Sequence, residues 1–321
     1  MAAVAPGTRR IDAAQARLLD QVFDTGALGA LTRVRLKVAH ASGERPGHTR
    51  VRNRSDGSGT EIERHVSYTP GDDLRRIDWS AYARLGELLT RRFVAEREVP
   101  VWILIDTSAS MGEATRASKL DLAASVAAIL SVVSLSGGDR LYLGAVPGRR
   151  RTREPLETCG PLRGRRSLGE LRRFLTELSP SPQEGDFAEA LLHALRHVRR
   201  GLVVLISDFL VPPERIAPAL DVIRTRGCEG KVVQVLSRED LDPSWLRGQG
   251  KIVDRETGEE YVIEPSVQTW KRYEEALGAH LDALRRDALS RGMSSIVTLS
   301  DVALERFLRE ELPRLGLSLV R

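Results

Sequence analysis

The stretch Val99 to Met111, VPVWILIDTSASM, is an unbroken apolar run that ends in an aspartate and two alternating serines. Apolar residues without alternation describe a strand covered on both faces, the usual state of a central strand in a parallel sheet. Asp106 then stands at the C-terminal tip of that strand. In open α/β sheets ligands bind beyond this edge, so Asp106, Ser108 and Ser110 form a cluster of oxygen donors where a ligand is expected. Leu202 to Asp208, LVVLISD, repeats the design, and two such tips can lie side by side. Two carboxylates and two hydroxyls around one point suit a hard cation such as magnesium, which takes few protein ligands and keeps several waters. Each segment taken alone has a plainer explanation, because Asp and Ser at strand ends cap neighbouring N–H groups.

The rest of the chain alternates strands with helices. Lys119 to Leu135, rich in Ala, Leu and Val, predicts a buried helix whose N-terminus adds partial positive charge and free N–H groups near Ser110. Arg140 to Val146, Leu202 to Ser207 and Val232 to Leu236 read as strands, and Leu168 to Leu178, Phe187 to Arg199 and Ile216 to Arg226 as helices. The expected fold is α/β, a doubly wound, mainly parallel sheet with a smaller β-rich N-terminal module. Lys251 to Glu264 predicts a surface hairpin near 250–264, Val267 to Arg291 a long helix and Ile296 to Leu299 a short strand. Ser300 is the expected N-cap of a last helix through Leu312.

Three segments result. Residues 1–31 hold an amphipathic helix, with Ile11, Ala14, Leu18, Leu19 and Val22 on one face. Residues 32–98 form the β-rich module, with a mobile loop at Ala41 to Gly59 and a turn at Pro70 and Gly71. Asp72, Asp73, Arg75, Arg76 and Asp78 crowd that turn beside Trp79, either as a functional patch or, the preferred reading, as a salt-bridged structural corner. A hairpin is expected between Trp79 to Arg84 and Leu88 to Val94, turning at Leu85 to Glu87. Residues 99–321 form the main domain.

Charge and cysteine usage narrow the function classes. Lys and Arg number 49 against 44 Asp and Glu, a net charge of +5 that permits an acidic partner without demanding one. Arg149, Arg150, Arg151, Arg153, Arg163, Arg165 and Arg166 cluster, but only 5% of the chain is aromatic, which leaves little for stacking on bases. A solvated or protein-docking face is expected there and no nucleic acid. His193 and His197 have helical metal spacing without the acidic residue of a zinc protease. Cys159 and Cys228 lack disulfide or redox spacing and are expected as reduced thiols. No apolar run reaches the roughly 20 residues of a membrane span, so a cytoplasmic protein is expected. No phosphate-cradling glycine loop with its lysine is present.

Asp106, Ser108 and Ser110 spell the Asp-x-Ser-x-Ser core of the metal-ion-dependent adhesion site of von Willebrand factor A domains, and Asp208 matches the later aspartate. Upstream, Gly57, Gly59 and Glu61, then YTPGDDLRRIDW, Ala83 with Arg84, Arg92 with Phe93, and Glu96 resemble the MoxR-associated, von Willebrand A-like proteins, domain of unknown function 58. The resemblance runs from about Arg33 to the C-terminus. It implies that residues 99–321 are a von Willebrand A-like domain in which Ser108 and Ser110 coordinate Mg2+ directly. Asp106 and Asp208 would act through water or from behind, and an open position would take a partner's carboxylate. A threonine from a separate loop normally completes such a site. Here Gly185 stands at that position, so that hydroxyl is missing, and the adjacent Asp186 either compensates with its carboxylate or caps its helix.

The implied function is a non-enzymatic, metal-dependent interaction module, a partner of a MoxR-type AAA+ ATPase in a chaperone-like system acting on a client protein. The alternative is a magnesium-dependent phosphoryl-transfer hydrolase using Asp106 as nucleophile. Such hydrolases need a second carboxylate two residues on, where this chain has Ser108.

Overall fold

The computed structural model describes residues 20–24, 29, 31, 35–38, 62–70, 73–93, 100–112, 117–147, 155–181, 186–197, 200–242, 250–253, 260–263 and 266–320. In chain order the strands and α-helices are β1 (Arg35–Val38), β2 (Ile62–Ser67), α1 (Trp79–Leu85), β3 (Leu89–Phe93), β4 (Pro100–Asp106), α2 (Lys119–Ser136), β5 (Arg140–Val146) and β6 (Glu157–Leu162). They continue with α3 (Leu168–Thr176), α4 (Phe187–Ala194), β7 (Leu202–Ser207), α5 (Pro213–Thr225), β8 (Glu229–Leu236) and α6 (Arg238–Leu241). The last are β9 (Gly250–Val253), β10 (Glu260–Ile263), α7 (Val267–Ser290), β11 (Ser294–Leu299), α8 (Leu304–Arg306) and β12 (Leu317–Val320). The chain divides into two compact units, residues 1–44 with 100–321, and residues 45–99.

The larger unit is built on a six-stranded sheet in the order β11-β8-β7-β4-β5-β6. β4 runs parallel to both β5 and β7, β7 to β8 and β8 to β11, while β6 is antiparallel to β5. Numbered along the chain within this sheet, the order is 3-2-1-4-5-6, and the direction of winding reverses between β4 and β7. That crevice is where a doubly wound sheet binds its ligand. The expected doubly wound, mainly parallel α/β sheet is the one observed.

The apolar runs of β4 and β7 follow from two-sided burial. Val101, Ile103 and Ile105 join one core cluster with Val204 and Ile206, whereas Trp102 and Leu104 join the opposite one with Val203 and Leu205. Successive residues face opposite sides, so a strand covered on both must be apolar throughout. Helix α2 fills the first cluster and is buried nearly all round, which is why it lacks a polar face. It is long and apolar enough to cross a membrane by length and composition, yet 94% of it is buried inside the fold.

Several sequence expectations are corrected. Trp79 to Arg84 is not a hairpin arm but lies in α1, because Asp78 accepts hydrogen bonds from the N–H groups of Ser80 and Ala81 and Gly86 closes the helix at φ 70°. β3 instead pairs with β2. Strand β6 was not among the expected strands; it contains Gly160 and Pro161, and its edge position removes the need for every ladder N–H. Residues 35–38 pair with β12 of the larger unit, so the boundary lies near residue 45 rather than 32. Ser300 does not cap the last helix: its N–H donates to the Leu236 carbonyl, and Ala303 precedes α8. Of the N-terminal helix, residues 20–23 are helical and Val22 is buried in the α2 cluster. The loop at 41–59 lies outside the described residues. The hairpin near 250–264 is observed as β9 paired with β10.

Candidate functional site

β4 and β7 lie side by side, with Ile105 opposite Ile206, so Asp106 and the Ser207–Asp208 pair emerge together at the reversal point. Asp106 is buried, at 7% exposure. Its Oδ1 accepts the Ser108 N–H at 2.8 Å and its Oδ2 accepts the Ser207 hydroxyl at 2.5 Å. The first bond folds the chain back over the strand tip. A short 3-10 turn, Ala109–Gly112, then brings the Ser108 and Ser110 hydroxyl oxygens to 3.1 Å from each other. The turn is pinned from outside: the Ser181 N–H donates to the Thr107 carbonyl at 2.6 Å, and Pro180 presses on Gly112. A Cβ at Gly112 would sit 2.1 Å from Pro180 Cγ, so only glycine lets the two segments approach this closely.

The second tip is held as tightly. Phe209 adopts a left-handed conformation, φ 48°, rare for a bulky residue. Its N–H donates to Ser207 Oγ at 2.9 Å, and its carbonyl oxygen lies 2.7 Å from His280 Nε2 on α7. This turn leaves Asp208 buried and facing Lys119, the first residue of α2. Lys119 Nζ donates to Asp208 Oδ2 at 2.7 Å and to Asp240 Oδ2 at 3.1 Å. Gln234 Nε2 donates to the Asp208 carbonyl, and Asp240 also accepts the Ser237 N–H within a capping box.

The electrostatics follow from burial. Desolvation, with the charge of Asp208 nearby, raises the Asp106 carboxyl from 3.8 to about 6, against the lowering effect of the Ser207 and Ser108 hydrogen bonds. Burial works against the charge on Lys119, but the carboxylates of Asp208 and Asp240 outweigh it and hold the ammonium above its ordinary value. Asp208 therefore has a cation of its own, and among the described residues Asp106 has none.

The structure brings four of the expected residues, Asp106, Ser108, Ser110 and Asp208, to one sheet edge. Asp186 is exposed and its Oδ1 accepts the N–H groups of Ala188 and Glu189, so it caps α4. Gly185 lies outside the described residues. Helix α4 ends at Ala194, which takes His197 off the helical face of His193 and dissolves that metal spacing. Arg163, Arg165 and Arg166 are exposed, while residues 149–153 are not among those described. Cys159 and Cys228 are free thiols. Sequence reading missed Lys119 and Ser207. Lys119 carried a signal: a lysine in the first turn of an apolar helix sits at the wrong end of the macrodipole and needs a carboxylate partner.

Among the described residues no three His, Cys, Asp or Glu converge as a metal site, so a cation here would rest on the hydroxyls and Asp106. The donor set fits a small hard ion. It is all oxygen, and the 3.1 Å between the serine hydroxyls matches the ~3 Å between neighbouring ligands of an octahedral magnesium bound at ~2.1 Å.

The sequence profile of the family described as "Protein of unknown function DUF58" matches residues 64–283. The chain belongs to the DUF58 family. Uncharacterized proteins of Mycobacterium tuberculosis and Mycobacterium bovis are each 35% identical over 221 residues, 66% of this chain and 66% of the relative. The match thus spans just under two thirds of those DUF58 relatives' length. Among solved structures, BatB of Bacteroides thetaiotaomicron is 17% identical with a TM-score of 0.34, covering 60% of this chain and 98% of that one. A von Willebrand factor type A protein of Catenulispora acidiphila is 17% identical with a TM-score of 0.31, covering 59% and 44%. An aerotolerance-related membrane protein of Bacteroides fragilis is 16% identical with a TM-score of 0.34, covering 59% and 98%. The α/β assignment for this DUF58 chain stands on its own strand order and pairing.

Proposed function

We propose that this DUF58 protein is a non-enzymatic binding module that holds Mg2+ at Asp106, Ser108 and Ser110 and takes a carboxylate of a partner protein at the metal. One observation carries this: two serine hydroxyls and a buried carboxylate with no cation among the described residues converge at the switch point of the sheet. When bound, the ion supplies positive charge to Asp106 and an electrophilic point for an incoming oxygen ligand. The chain's own part is to orient the hydroxyls, through the Asp106–Ser108 bond and the Gly112–Pro180 contact, and to fix Asp106 through Ser207.

A binding role fits better than phosphoryl transfer. Both Asp106 oxygens accept hydrogen bonds, from Ser108 N–H and the Ser207 hydroxyl, and residue 108 is not a second carboxylate. The resemblance in the segment around YTPGDDLRRIDW supports a MoxR-type AAA+ ATPase as the partner, the pair remodelling or maturing a client protein.

The test is capture of a co-encoded AAA+ ATPase by the full chain. Capture falls at least tenfold in chelator and in Asp106→Ala and Ser108→Ala, a loss equivalent to about 1.4 kcal/mol or more. Capture indifferent to all three removes the metal bridge.

A further inference from the structure

The described part of the site holds a positive charge that belongs to the chain itself. Lys119 is 3% exposed, and its ammonium reaches Asp208 at 2.7 Å and Asp240 at 3.1 Å. It heads α2, where the helix N-terminus disfavours a cation, so its burial there is accounted for by the two carboxylates rather than by the helix. The two strand tips carry two carboxylates, Asp106 and Asp208. One is already balanced.

Resting on the cation reading above, we propose that the Lys119 ammonium is a built-in competitor of the divalent ion: by neutralising Asp208, it sets how tightly the ion is held at Asp106, Ser108 and Ser110. With Lys119 in place, an incoming divalent ion meets Asp106 and an Asp208 whose charge is countered by the ammonium it shares with Asp240. With Lys119 neutral, Asp208 and Asp240 both lose that counter-charge and nothing offsets their attraction for the ion. Affinity and fold are thereby linked. Without lysine or metal, Asp208 is a buried carboxylate with no cation among the described residues, a state a fold tolerates poorly. A divalent ion supplies the missing charge, so metal dependence of folding should appear when the lysine is removed.

The experiment measures Mn2+ binding to the full-length wild type and to Lys119→Met by the loss of the free-ion paramagnetic resonance signal, with circular dichroism melts at each Mn2+ concentration. Lys119→Met is expected to bind Mn2+ roughly tenfold or more tightly, the order of one unit charge acting inside a protein. Its melting temperature should rise more steeply with Mn2+ than that of the wild type. If only the variant binds, the native protein holds no ion, and the cation reading and the proposal fall together. If the wild type binds Mn2+ and Lys119→Met binds it no more tightly, the proposal is overturned and the cation reading stands. If neither binds, both fall. A variant that folds only with Mn2+ supports the proposal, and one unfolded at every Mn2+ concentration overturns it.

Discussion

The buried carboxyl of Asp106 gives the metal-free protein a pH dependence whose sign and size follow from its surroundings. Burial and the neighbouring Asp208 raise it from 3.8 to about 6. The fold therefore binds the Asp106 proton more tightly than the unfolded chain does. The resulting stabilisation is fully present below pH 3.8 and is lost as pH rises through about 6. A shift of about two units at 1.36 kcal/mol each makes this about 3 kcal/mol. Asp106→Asn removes the titration while keeping a carbonyl oxygen for the Ser108 N–H. In chelator, the stability difference between variant and wild type, read by urea unfolding from pH 4 to 7, should move by about 3 kcal/mol in the variant's favour. In thermal melts the same change is roughly 6–12 °C. Saturating Mg2+ should shrink it, because a nearby cation favours the charged carboxylate. A difference that stays flat across this range would show that Asp106 is not the desolvated group described above.

Two further substitutions test the supports. Gly112→Ala forces the serine turn off Pro180 and should cost about 1–3 kcal/mol in urea unfolding and weaken Mn2+ binding; a variant as stable and as tight as wild type contradicts the close packing. Asp78→Ala removes the cap of α1, about 1–2 kcal/mol. Amide exchange in α1 should then quicken roughly 5–30-fold, and unchanged exchange would deny the cap its role.

What the sequence revealed depended on how much of an element's environment was encoded locally. β4 and β7 were legible because burial on both faces leaves an unbroken apolar run, and the carboxylates ending them mark the ligand edge. Trp79 to Leu85 was misread because its helix is defined by its ends, the Asp78 cap and Gly86, rather than by a buried face; Trp79 is 61% exposed. β6 was hidden by Gly160 and Pro161, whose turn-like character an edge position absorbs. The role of Lys119 could not be read from spacing, since Asp208 and Asp240 lie 89 and 121 residues away. For Asp186 the two sequence-level alternatives were a ligand and a cap, and its hydrogen bonds to Ala188 and Glu189 make it a cap. Ser207 was passed over although it sits inside LVVLISD, because nothing in the sequence says that its hydroxyl turns toward Asp106.

The proposed binding role requires that Asp106, Ser108 and Ser110 hold a divalent ion. The direct measurement is Mn2+ titration of the full chain against the Ser108→Ala/Ser110→Ala double variant, followed by the free-ion resonance signal at neutral pH. One ion per chain, displaced by excess Mg2+ and lost in the double variant, is the predicted result. No binding by the wild type, or binding that survives loss of both hydroxyls, contradicts it.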